Sequence, residues 1–198
     1  MPKMRDYMDK LPSRTVCWAA TWNHHAAGVG LENVVVREGG ADSMLLGFSE
    51  DGTPFRLTYR LAWDEQLRIR EADLAVQAVQ ETRSLRLRSD GNGHWWHADG
   101  DALAELDDCI DIDIWPTPLT NSLPLWRSGL GIGQRREYRM AWVSAPALTV
   151  EAKPQAYTRL KDRLYLFESL DGSGFRAELP VDEQLVVLDY PNFFVRVA

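Results

Sequence analysis

Two aspartates stand two residues apart in the run Cys109-Ile110-Asp111-Ile112-Asp113-Ile114-Trp115, directly ahead of Pro116-Thr117-Pro118-Leu119-Thr120-Asn121-Ser122-Leu123-Pro124-Leu125-Trp126-Arg127. In an extended strand successive side chains alternate between faces, so Ile110, Ile112 and Ile114 line one side while Cys109, Asp111 and Asp113 line the other. Two carboxylates then project together with Cα atoms about 6.6 Å apart, near the spacing at which paired carboxylates cleave glycosidic bonds. Such catalysis needs one carboxyl with a raised pKa and a substrate cleft between the two. Neighbours on one strand point in parallel instead, so the pair suits binding better than hydrolysis: it can accept ligand hydroxyls or hold the cation of Arg127. A solvated face of a half-buried strand fits the pattern equally, with Thr120 and Asn121 satisfying turn backbone. Prolines fix φ and remove backbone donors, so Thr117, Thr120, Asn121 and Arg127 are held in restricted positions. Trp126 stands in this Pro-rich loop rather than in a regular strand, which favours ligand contact.

The other candidates are weaker. Eight tryptophans in 198 residues is a high count, and an indole offers a large apolar face with one N–H donor, suited to sugar stacking, lipid chains or simple core packing. The pairs His24-His25 and His94…His97 do not converge on a straight strand, and no nearby cysteine completes a metal set, so no metal or other cofactor is expected. Gly129-Leu130-Gly131-Ile132-Gly133 lacks the spacing of a dinucleotide or phosphate loop and reads as a connection.

A net charge of −7 and a pI near 5.1 oppose contact with phosphate backbones, so nucleic acid is not an expected partner. The first ten residues carry charges and no apolar run of the kind a signal peptide needs, and no stretch approaches the ~20 apolar residues of a membrane span. A cytoplasmic protein is expected. Two cysteines, Cys17 and Cys109, far apart in the chain, read as small buried hydrophobes rather than a disulfide framework.

The elements that must position these residues are strands. Phe55, Leu57, Tyr59, Leu61 and Trp63 alternate with Arg56, Thr58, Arg60 and Ala62, a pattern repeated at Tyr138, Met140 and Trp142, at Leu148, Val150 and Ala152, and at Phe175, Ala177, Leu179 and Val181. Gly39-Gly40, Asp51-Gly52, Asp90-Gly91 and Asp171-Gly172 mark turns between them. Glu71 to Glu81 is ambiguous: Leu74, Ala75, Ala78 and Val79 match helical spacing, while a bulge that shifts strand alternation explains them as well. A strand is favoured there. Asp101 to Asp108 and residues 1 to 11 each suit a short helix or turn. Asp64-Glu65-Gln66-Leu67 recurs as Asp182-Glu183-Gln184-Leu185, a repeat that shared turn chemistry explains more simply than duplication. The whole predicts one domain over residues 1–198, all-β and mainly antiparallel, a single curved sheet closing into a barrel or half-barrel with at most a few short helices.

With these residues in view, the chain resembles a bacterial glycolipid-binding family. The resemblance is carried by Cys109-x-Asp111-x-Asp113 leading into Thr117 to Pro124 and Arg127, and by Gly30-Leu31-Glu32, Tyr59 ahead of Asp64, Asp90-Gly91 before Trp95-Trp96, Gln155-Ala156-Tyr157 and Leu188-Asp189-Tyr190-Pro191. It implies a curved antiparallel sheet similar to LolA-type lipoprotein carriers and a lipid or glycolipid as partner. The resulting expectation is non-enzymatic binding of an amphipathic small molecule. Trp18, Tyr59 and Trp142 would flank its apolar part, and Asp111, Asp113, Thr117, Thr120, Asn121, Trp126 and Arg127 its polar part. A carbohydrate- or lipid-directed hydrolase using Asp111 and Asp113, and a structural or dimerisation module, stand as alternatives. The sequence leaves the oligomeric state open.

Overall fold

The structure is a computed structural model, and it describes residues 13–20, 30–49, 51–78 and 81–198. Trp22, His24, His25, Val79 and the expected turn or helix at residues 1 to 11 lie outside the described residues. Strands make up 58% of the described residues, which settles the class as mainly β.

Among the described residues nine strands form the first sheet, and most follow one another as hairpin neighbours. In spatial order they are β13 (Asp189–Tyr190), β14 (Phe194–Arg196), β1 (Arg14–Ala20), β2 (Leu31–Arg37), β3 (Gly40–Phe48), β4 (Pro54–Trp63), β5 (Ile69–Ala78), β6 (Thr82–Ser89) and β7 (Trp95–His97). All pairs are antiparallel, and the sheet curls strongly into a half-barrel. Period-2 alternation gives most strands of this sheet one apolar face, which the curl covers. Along β4, Phe55, Leu57, Tyr59, Leu61 and Trp63 point inward and are buried, while Arg56, Thr58 and Arg60 are exposed. Burying a leucine such as Leu57 or Leu45 stabilises the fold by roughly 1.5–3 kcal/mol. Gly40 is required at the β2–β3 turn, since a Cβ there would lie 2.5 Å from the Leu61 carbonyl oxygen.

The ambiguous stretch is strand β5. Ala62 pairs with Glu71 but Trp63 pairs with Ile69, so Arg70 is the extra residue of a bulge and the alternation shifts there by one. The two Asp-Glu-Gln-Leu copies form the same turn. Oδ1 of Asp64 accepts the amides of Gln66 and Arg68, Oδ1 of Asp182 accepts those of Gln184 and Val186, and Leu67 and Leu185 both adopt a positive φ, 59° and 58°.

Hydrogen bonding makes a second sheet rather than continuing the first. Its order is β12 (Arg176–Pro180), β11 (Leu164–Ser169), β10 (Thr149–Lys161), β9 (Arg135–Ser144) and β8 (Asp111–Trp115). The pair β8–β9 is parallel, and a parallel pair needs a long crossover. Residues 116–134 supply it through a 3-10 turn, Leu119–Asn121, and one helix, α1 (Ser122–Ser128). The expectation of an irregular loop around Trp126 is therefore corrected. Pro124 falls in the first helical turn, where its missing N–H has no partner to lose, and Gly129 ends the helix in the left-handed conformation with φ 58°. Asp101 to Asp108 contains a single 3-10 turn, Ala104–Leu106. Buried side chains of both sheets and of α1 join in one hydrophobic cluster. Among the described residues no helix is long and apolar enough to cross a membrane.

Candidate functional site

Asp111 and Asp113 share a face of β8, as alternation requires, and neither is solvated like a surface aspartate. Asp111 is 1% exposed. Both terminal guanidinium nitrogens of Arg127, at the end of α1, donate to its two carboxylate oxygens, and Arg127 also reaches the Leu67 carbonyl at 3.5 Å. Both oxygens of Asp111 are thus occupied by a cation from its own fold.

Asp113, one side-chain position further on, lies at the base of a cleft of about 210 Å3 on the inner face of the second sheet. Its partners are uncharged. The Thr120 hydroxyl donates to Oδ1 at 3.0 Å and the Gln155 amide to Oδ2 at 2.5 Å. Burial raises its pKa, and the Gln155 and Thr120 hydrogen bonds and the positive charge of Lys153 oppose that shift. Thr120 also accepts the backbone amide of Ile114, so it ties the crossover to the strand. Asn121 donates from Nδ2 to the Tyr157 hydroxyl at 2.9 Å.

Asn121 and Gln155 each keep a buried amide oxygen without a partner. Both residues are 3% exposed or less and both line the cleft. The Gln155 amide cannot be turned over to relieve this, because its oxygen would then face the Asp113 carboxylate. A buried acceptor left unmade costs about 1–3 kcal/mol, so two in one wall call for a donor from outside the chain.

The opposite wall is aromatic. Phe193 sits at its centre, with ring centroids 5.1 Å from Trp115, 5.4 Å from Tyr190 and 5.6 Å from Phe175, and Phe167 continues the wall. At the mouth the Lys153 ammonium lies 3.3 Å from the Trp142 ring centroid, near Asp171 and Ser173.

Of the residues singled out in the sequence, Asp113, Thr117, Asn121 and Trp142 line the cleft, and Thr120 supports it from behind. Five others are placed elsewhere. Asp111 and Arg127 pair with each other beside it. Trp126 is 2% exposed, donates its N–H to the Gln184 carbonyl at 2.7 Å and packs edge-on to Trp63. Trp18 is fully buried and donates to the Val187 carbonyl at 2.9 Å. Tyr59 faces the half-barrel interior. Its hydroxyl donates to Glu32 at 2.8 Å and lies 3.1 Å from the Thr117 hydroxyl. Ser43 donates to the same Glu32 oxygen at 2.8 Å. Glu32 is fully buried, and desolvation pushes its pKa up to about 7 against the lowering effect of the Ser43, Tyr59 and Thr117 hydroxyls.

Sequence reasoning missed Glu32, Lys153, Gln155, Phe167, Tyr190 and Phe193. Glu32, Gln155 and Tyr190 did carry part of the family resemblance, which was the available signal. Lys153 and Phe193 read as ordinary strand and terminal residues. Among the described residues no group of three or more His, Cys, Asp or Glu is placed to hold a metal. Cys17 and Cys109 are both free thiols.

None of the curated proteins matches the chain. A solved structure does: the crystal structure of a DUF1089 family protein from Pseudomonas aeruginosa is 45% identical, with a TM-score of 0.84, over 91% of this chain and 97% of that one. The family model for "Putative glycolipid-binding" matches residues 19–196, and the chain belongs to that family.

Proposed function

We propose that the chain is one ligand-binding unit whose cleft takes the polar end of an uncharged amphipathic small molecule, a glycolipid being the leading class, without covalent chemistry. The observation that carries this reading is the pairing of two unsatisfied buried acceptors, on Asn121 and Gln155, with an aromatic wall. Hydroxyl donors on a ligand would satisfy the acceptors and Asp113, while its less polar faces stack against Phe193 and Tyr190. About 210 Å3 falls below the roughly 300–1,000 Å3 of pockets that enclose a whole drug-sized molecule. The cleft accordingly fits a headgroup, with any chain leaving through the mouth. The two-carboxylate hydrolase is disfavoured by the same geometry, because Arg127 holds Asp111 and leaves Asp113 alone in the cleft. A cytoplasmic site of action and a shape like that of lipoprotein carriers belong to this proposal.

Octyl β-D-glucoside, titrated into delipidated protein below its micelle threshold, tests it through tryptophan emission, since Trp115 and Trp142 both line the cleft. Saturable binding weakened by Gln155→Leu is the expected result. Absence of saturable binding in folded protein would sink the reading, and turnover of aryl glycosides abolished by Asp113→Asn would replace it with hydrolysis.

A further inference from the structure

Behind the cleft lies a continuous chain of hydroxyls ending on a buried acid. The Ser43 and Tyr59 hydroxyls both meet Oε1 of Glu32 at 2.8 Å, Tyr59 lies 3.1 Å from the Thr117 hydroxyl, and Thr117 lines the cleft. The backbone amide of Leu119 donates to the same Thr117 oxygen at 3.1 Å. A hydroxyl has one proton and two lone pairs, so the direction of each bond in this chain is determined by its neighbours. With Glu32 ionised, Tyr59 must donate to the carboxylate, its oxygen takes the Thr117 proton, and Thr117 keeps a lone pair free. A proton added to Glu32 has two hydroxyls to accept it at Oε1, Tyr59 on the cleft side and Ser43 on the other, and none at Oε2, which has no partner. Placed on Oε1 and donated to Tyr59, it turns the Tyr59 proton toward Thr117. Both Thr117 lone pairs are then filled and its own proton is released.

We propose that Glu32 is a specificity-determining group for the cleft: through Tyr59 it decides whether Thr117 offers the bound headgroup an acceptor or a donor. The inference rests on the cleft being the binding site. No bond other than O–H is made or broken, and the proton comes from solvent. Glu32 is poised for this role because burial brings its pKa to about 7.

The titratable groups facing Glu32 do not compete with it. From β1, Cys17 has its pKa raised by burial and by the Glu32 charge, and from β4, Tyr59 has its pKa raised by the same two causes, so both stay neutral as Glu32 titrates. β3 and the crossover contribute only the hydroxyls of Ser43 and Thr117. In the cleft itself Asp113 also titrates above its ordinary value, with Lys153 as the nearby cation.

The test reads the Thr117 methyl and Leu119 amide by nuclear magnetic resonance between about pH 5.5 and 8.5 in the ligand-free full chain, and the affinity for octyl β-D-glucoside over the same range. Both signals should step with one midpoint, and affinity should change about threefold or more across it. Glu32→Gln should remove the step and flatten the affinity. Tyr59→Phe, which keeps the acid but cuts the chain, should remove the step at Thr117. Asp113→Asn, which deletes the other titrating carboxyl, should retain it. Thr117 and Leu119 signals that do not titrate, or that titrate unchanged in Glu32→Gln or Tyr59→Phe, overturn the hydroxyl chain. A step in those signals beside a glucoside affinity that ignores pH overturns the specificity role. Failure of the glucoside to bind at any pH strikes the cleft reading itself, and with it the specificity role, while the resonance data still decide whether the hydroxyl chain exists.

Discussion

Asp111 and Asp113 leave the same strand in the same direction and end in opposite electrostatic circumstances. Asp111 is closed off by a guanidinium that matches both its oxygens, so it has nothing left to offer a ligand. Asp113 receives only a hydroxyl and an amide, sits in a wall with two further unpaired acceptors, and opens on a cleft. The difference comes from the crossover rather than from the strand. Helix α1 ends beside Asp111 and brings a cation, while the 3-10 turn before it lies beside Asp113 and brings neutral side chains. A charge with a matched counter-charge is structure; a charge with neutral partners is available for work.

The sharpest way to break this comparison is to remove the cation. Arg127→Met should destabilise the protein by about 3–5 kcal/mol in urea unfolding, because it strands a buried carboxylate, and Asp111→Leu combined with it should recover most of the loss. A single-variant effect below about 1 kcal/mol would mean that Asp111 is no more structural than Asp113.

Glu32 extends the contrast, since its partners are also neutral. Its folded-state pKa, about 7, lies above the ordinary 4.5, so the protonated form is favoured in the fold. Its stabilising contribution is complete below about pH 4.5 and is lost as pH rises through about 7, on the order of 3–4 kcal/mol in all. Unfolding free energies across that window should slope downward in the wild type and lie flat for this contribution in Glu32→Gln.

Asp113→Asn should affect binding more than stability. The variant should stay within about 1 kcal/mol of wild type at neutral pH, or exceed it, because a carboxyl with a raised pKa contributes stability at low pH and loses it as pH rises. Its affinity for octyl β-D-glucoside should fall about tenfold, equivalent to about 1.4 kcal/mol. The smallest effect is expected of Lys153→Met, about 0.5–1 kcal/mol from the lost contact with Trp142. The same change should move the Asp113 midpoint further upward in a carboxyl-resolved titration, because Lys153 lowers it.

Strand positions were legible in the sequence because one-sided burial writes itself as alternation: Phe55 to Trp63 and the bulge before Ala72 could both be read that way. The parallel pair β8–β9 could not. Nothing in Cys109 to Trp115 distinguishes a parallel neighbour from an antiparallel one, and the helix that makes the crossover was hidden by Pro124, whose place in the first turn is harmless. The candidate site was half legible. Asp113, Thr117 and Asn121 lie within the stretch that leads into and forms the crossover, whereas Gln155 and Phe193 reach the cleft from β10 and the C-terminal segment, and long-range juxtaposition leaves no local pattern. Trp18 and Trp126 lie outside the cleft, and their place was not legible for a related reason, since an indole satisfied by a backbone carbonyl looks, in one dimension, like one awaiting a ligand.

The repeated Asp-Glu-Gln-Leu turn has a mechanical outcome. Trp126 donates to the carbonyl of Gln184 in one copy and Arg127 reaches the carbonyl of Leu67 in the other, so adjacent residues of α1 grip two turns more than a hundred positions apart in sequence. Neither turn can open without releasing the helix, and releasing the helix frees the crossover that floors the cleft. Amide hydrogen exchange should therefore find the protected amides of Arg68, Val186 and α1 opening as one cooperative unit with a shared free energy, not as separate surface hairpins.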